Sequence, residues 1–143
     1  METFYHSTRS RGELVTSKQA ILAGLAPDGG LYVSDALGAE KLDLAQVCVS
    51  SFTQTAECVL GTLLPDYTAE ELAGCVRAAY GAQWDTPAIC PVTPLGTDWL
   101  LELFHGPTCA FKDMALQMLP HLLTASLTKT EEFRTVCILV AMT

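Results

Sequence analysis

The sequence predicts an α/β chain. A small, mostly helical N-terminal domain spans residues 1–84, and the first βαβ unit of a parallel-sheet domain spans 85–143. Three observations carry this reading. Capping-box patterns at Thr16 with Gln19 and at Thr68 with Glu71 open helical stretches in the first half. The texture then changes at "WDTPAICPVTPLG", which holds three prolines and no helical period. Beyond it, "WLLELF", "CAFKDMALQMLPHLLTASL" and "FRTVCILVAMT" read as strand, helix and buried strand, the order of a βαβ crossover.

Taken in order, "FYHSTR" has β-type residues and predicts an early strand. The helix after Thr16 turns Ile21, Leu22 and Leu25 to one side. "APDGG" is a turn, because proline fixes φ and glycine accepts positive φ, and "LYV" follows as a short strand. Residues 42–64 predict a helix in two pieces, broken near Ser50 and Ser51. The helix after Thr68 stops at Gly81. The run from Val136 to Ala141 is wholly apolar, as in a strand buried on both faces of a parallel sheet. Such a strand needs neighbours. The expectation is therefore a front piece of a longer protein, or a sheet completed by a partner through its open edge.

Half of the 143 residues are hydrophobic, enough for a real core. Sixteen acids against eight bases give a formal charge of -8, which argues against nucleic acid and anionic membranes as partners. A local basic pocket for a small anion stays open. Six cysteines are irregularly spaced without a C-x-x-C pair, so neither a zinc site nor a thioredoxin-like motif is expected. With no signal-peptide core and no membrane-length apolar run, the chain reads as cytoplasmic, with reduced cysteines.

Lys112 is the unusual charge. On a helical wheel, Asp113, Gln117, His121 and Thr124 form a polar stripe, and Lys112 lies roughly 135° from its centre. Its wheel neighbours are Leu116, Leu119 and Leu123. With Thr108 as N-cap, Lys112 closes the first turn, where free N–H groups and desolvation both disfavour an ammonium. A lowered amine pKa suits a Schiff-base lysine. The wheel leaves a second reading open: an ordinary lysine whose stem is half-buried and whose head reaches water.

The segment "LELFHGPTCAFKD" (Leu101 to Asp113) resembles the cofactor-lysine segment of threonine synthases, L-E-L-F-H-G-P-T-x-A-F-K-D. "YHSTRS" followed by "GLAPDGGLYV" resembles that family's N-terminal signature in the same order and spacing. The resemblance implies a pyridoxal 5′-phosphate (PLP) enzyme of fold type II, the tryptophan-synthase-β type. It converts O-phospho-L-homoserine and water to L-threonine and phosphate. It implies that Lys112 holds PLP as a Schiff base and later moves protons, and that Phe111 packs near the PLP ring. His105 is expected either to orient the site by hydrogen bonding or, preferably, to be a structural turn histidine; Asp113 is expected to fix the helix start, Gly29 and Gly30 to make a turn, and Thr8 and Arg9 to belong to the signature. Arg9 is either a phosphate contact or, preferably, a structural pair.

Departures from the family pattern are specific. Ser10 stands where glycine is usual and Cys109 where leucine is common, and Pro120 should kink the helix. The family continues A-T-S-G-D-T-G after the last strand, whereas the sequence here reads "AMT". The catalytic domain at 85–143 is thus expected to be incomplete and the 143-residue chain inactive alone. The alternatives are another fold-type II PLP lyase, or a non-catalytic interaction domain that self-associates through its sheet edge.

Overall fold

A computed structural model describes residues 4–39, 41–133 and 135–137. In chain order the elements are β1 (Tyr5–Ser7), α1 (Ser17–Ala23), β2 (Tyr32–Ser34), α2 (Leu44–Val49), α3 (Phe52–Leu63), α4 (Ala69–Ala79), β3 (Val92–Leu95), β4 (Asp98–Leu101), α5 (Asp113–Leu116) and α6 (Leu119–Lys129).

The helical N-terminal part follows its local chemistry. Thr16 and Thr68 cap α1 and α4 with reciprocal side-chain and backbone bonds to Gln19 and Glu71. Ser51 forms a third such box with Gln54, and this is why the helical stretch divides at residues 50 and 51. Strands β1 and β2 pair antiparallel, with His6 opposite Val33. Asp28 ties the turn before β2 to the segment after β1. Its carboxylate accepts from Ser7 Oγ at 2.7 Å, Ser10 Oγ at 2.8 Å and the Gly30 amide at 2.9 Å. Those donors hold the Asp28 carboxyl below its ordinary value, Ser7 contributing most. A Cβ on Gly30 would collide with Ser7 Oγ, and Gly29 has φ 76°, so both glycines are required by the turn.

One core joins both halves of the chain. Leu64, Tyr67, Leu72, Cys75, Val76 and Ala79 pack with Met118 and Leu122 of the α6 region. Val76 and Ala79 are fully enclosed. Met118, Leu122 and Ser126 recur every four residues, the spacing that turns one helical face inward. The buried Tyr67 hydroxyl bonds to Ser126 Oγ and to the Leu122 carbonyl, and burial pushes its pKa up to about 12. Lys129 closes this face on Glu71 at 2.8 Å.

Three expectations for the second half are corrected. Residues 92–95 form a strand that the prolines concealed: β3 and β4 make an antiparallel hairpin with Leu95 opposite Asp98. Gly96, with φ 63°, opens its two-residue turn, as a type II′ hairpin requires. The ladder alternates, and the Glu102 amide donates to the Pro91 carbonyl. By that alternation Pro94 opposite Trp99 is a pair that exchanges no backbone bond, so proline costs the ladder nothing there. Second, "WLLELF" is a strand only over Asp98–Leu101. Third, the helix expected as one piece breaks between Leu116 and Leu119, and Pro120 sits in the first turn of α6, where its missing N–H is harmless. Both sheets among the described residues are two-stranded and antiparallel. The strand expected at 136–141 falls mostly outside the described residues, and with it the parallel βαβ pairing.

Candidate functional site

Lys112 is the N-cap residue of α5, with helical φ and ψ of -63° and -20° and no side-chain capping bond. It does not close a first turn begun by Thr108. Instead the Thr108 amide and hydroxyl donate to the Asp113 carboxylate at 2.8 and 2.7 Å. Asp113 is 1 % exposed and reaches back to brace the 106–108 turn. Gly106 makes room for it, since a Cβ there would lie 2.5 Å from Asp113 Oδ2. The Cys109 amide donates to the Gly106 carbonyl, and Cys109 adopts φ 58°, a left-handed conformation that favours glycine. The chain thus winds tightly around the Asp113 carboxylate before it delivers Lys112.

The break between α5 and α6 divides the single wheel, and near Lys112 its faces are exchanged, while Thr124 of the polar stripe stays exposed. Asp113, placed on the polar stripe, is buried, whereas the leucines beside Lys112 are open: Leu116 is 52 % and Leu119 37 % exposed. Phe111 is 61 % exposed, and Lys112 Nζ lies 4.4 Å from its ring centroid. Among the described residues no carboxylate pairs with Lys112 Nζ. The result is an accessible primary amine beside an aromatic ring on an apolar, uncovered surface.

His105 sits behind this turn. Its Nδ1 is 2.6 Å from Asp85 Oδ1 and its Nε2 is 2.7 Å from Glu102 Oε2. Glu102 accepts a further bond from Thr93 Oγ1 of β3 at 2.6 Å. The Asp85 amide donates to the His105 carbonyl, and the Phe104 ring lies 4.5 Å from the imidazole. The Glu102 hydrogen bond is the largest cause of a raised His105 pKa; burial, the next, opposes it, and Asp85 adds to the rise. Thr93 first, then His105, hold the Glu102 carboxyl below its ordinary value. Asp85 and Glu102 were missed in the sequence. The only signal was an acid three residues before a histidine, with the second acid 20 residues away.

The N-terminal signature forms its own network. Arg9 Nη1 donates to the Asp28 carbonyl at 3.1 Å, and Thr8 exchanges bonds with Leu31. Among the described residues the hydrogen bonds of Thr8 and Arg9 stay within residues 7–31, apart from the Lys112 turn. Arg9 is thus held structurally through a backbone carbonyl, in place of the ion pair expected for it.

Comparison with known proteins adds a direct finding. Residues 4–80 match the family model described as "Threonine synthase N terminus". The chain belongs to the threonine synthase family. Threonine synthase from Pseudomonas aeruginosa is 37 % identical over 131 residues, covering 90 % of this chain and 28 % of that protein. The human protein named threonine synthase-like 1 is 36 % identical over 110 residues, covering 73 % of this chain and 15 % of that protein. The solved structure of PLP-bound threonine synthase from Brucella melitensis superposes with a TM-score of 0.79 at 33 % identity, covering 90 % of this chain and 28 % of that one. The mixed helix-and-strand fold is therefore that of threonine synthase structures, of which this chain spans little more than a quarter of the length.

Proposed function

We propose that this chain supplies the lysine-bearing part of a PLP-dependent threonine synthase that converts O-phospho-L-homoserine and water to L-threonine and phosphate. The observation that carries the reading is Lys112: an exposed amine, free of any salt bridge among the described residues, presented by a turn built around a buried carboxylate. A primary amine open to solvent and flanked by an aromatic ring suits covalent attachment of an aldehyde cofactor. Lys112 would hold PLP through Nζ and Phe111 would lie against it. The PLP-bound state of the Brucella melitensis relative supports PLP as the cofactor.

When bound, PLP supplies an electron sink for charge developing beside the substrate amine. The Lys112 amine, once free of the cofactor, moves protons at Cα and Cβ of the substrate as general base and acid. Asp113 holds the turn so that Nζ returns to the same place. We assign residues 1–84 to the family's N-terminal domain and 85–143 to the start of its catalytic domain, though one core spans both.

The chain covers 28 % of its Pseudomonas relative, and its described residues offer the amine but no cradle for the two phosphates. We therefore expect the 143-residue chain alone to be inactive and to bind PLP weakly or not at all. Threonine production by the purified chain, or a stable PLP absorbance band lost in Lys112→Ala, would overturn that expectation. A cytoplasmic location fits the free cysteines. Among the described residues no helix is long and apolar enough to cross a membrane. The uncovered hairpin, with Val92, Leu95 and Trp99 more than half exposed, favours a second role in self-association, read out by solution mass.

A further inference from the structure

We propose that His105 is a positioning residue: gripped as an imidazolium between Asp85 and Glu102, it fixes the turn that carries Lys112 to its cofactor. The inference rests on Lys112 being the cofactor-holding residue, and it extends that reading to a protonation state.

The geometry requires the charge. Both ring nitrogens face carboxylate oxygens, at 2.6 and 2.7 Å. A carboxylate only accepts, so each nitrogen must carry a proton. Neutral imidazole has a single N–H, and its bare nitrogen would set a lone pair against a carboxylate. The cation bridges the connection after α4 and the end of the β-hairpin, which the backbone bond between Asp85 and His105 also brings together. Asp85 lies on the connection after α4, anchored by its amide on the His105 carbonyl. Glu102 directly follows β4 and is held from β3 by Thr93. Among the described residues these two carboxylates are the charges that act on the ring.

The bridge leads to the lysine in a few steps. Gly106 follows His105 and packs directly on the Asp113 carboxylate, which holds Thr108 and adjoins Lys112. When a proton leaves His105, one of the two carboxylate contacts turns repulsive. The β-hairpin and the connection then lose their shared anchor next to Gly106. The raised His105 pKa means that the clamp stays charged above the pH at which an ordinary histidine discharges.

The test is an NMR titration of the 143-residue chain, following the His105 ring protons and the Gly106 and Lys112 backbone amides. His105 should titrate above about 6.5, the ordinary histidine value, and both amides should shift with the same midpoint. In Glu102→Gln the His105 midpoint should fall, the amide midpoints should fall with it, and Glu102→Asp should restore part of the shift. Amides that stay still while His105 titrates, or amide midpoints unmoved in Glu102→Gln, would overturn the proposal. Neither readout uses PLP, so failure of the clamp is separable from failure of the cofactor assignment. A merely structural histidine would lower stability on substitution and carry only the adjacent Gly106 amide, leaving the Lys112 amide outside its titration.

Discussion

The α4–α6 core and the Lys112 turn are built from opposite materials. Around Val76 and Leu122, apolar side chains are enclosed and the polar groups at their rim are paired: Tyr67 with Ser126, Lys129 with Glu71. Around Lys112 the apolar side chains are open and a charged one is enclosed. Phe104, Phe111 and Leu116 are each more than half exposed, while Asp113 is buried. The first region obtains its order from apolar burial, the second from hydrogen bonds to carboxylates. That division suits a reactive amine, since a turn held by Asp113 and His105 is rigid without covering the group it presents.

Perturbing the two regions should separate these sources of order. The largest effect is expected in the core. Leu72→Ala removes a side chain that is 2 % exposed and should cost about 2–5 kcal/mol, read as a fall in unfolding midpoint. Asp113→Ala should cost less, about 1–3 kcal/mol, because it leaves the Thr108 amide without its acceptor. Its local signature should be faster hydrogen exchange at residues 106–112, with the core amides unchanged. An equal loss of protection throughout would show that the turn and core are one unit.

Acid and base should act on the charged network in opposite directions. The folded pKa values of Glu102, Glu71 and Asp28 are lowered, so their contribution is present above the ordinary carboxylate range and fades as pH falls through the folded values. The His105 value is raised, so its contribution is complete below the ordinary histidine value and fades as pH rises through the folded one. Melting temperature against pH should therefore plateau between those ranges and decline on both sides. Glu102→Gln should remove the part of the alkaline decline that begins near neutrality, leaving the part due to Cys75, Cys90, Tyr67 and Tyr80, whose pKa values burial raises. The smallest effect is expected from Phe111→Ala: within about 0.5 kcal/mol for an exposed side chain, measured by chemical denaturation of this chain.

How much was legible in the sequence follows the same division. Elements set by local capping chemistry were readable: Thr16, Ser51 and Thr68 mark helix starts that need no distant partner. The β3 strand was not, because Pro94 reads as a breaker unless its non-bonded place opposite Trp99 is known. Lys112 stood out by motif and by wheel position. Around Lys112 the faces differ from the wheel because the helix divides at 117–118 and because periodicity records which side chains share a side, not which side is covered. Asp113 and His105 were visible as residues. Their partners lay 5 and 20 residues away, and only the folded turn brings them together.

The central claim is that Lys112 is the amine that holds the cofactor, and peptide mapping tests it most directly. A chimera joining these 143 residues to the remaining length of the Pseudomonas aeruginosa relative would be loaded with PLP, reduced with borohydride and digested. The expected result is a pyridoxyl group on the peptide containing Lys112, with Lys18, Lys41 and Lys129 unmodified and the label lost in Lys112→Ala. A label fixed on another lysine, or one that persists in Lys112→Ala, would contradict the account.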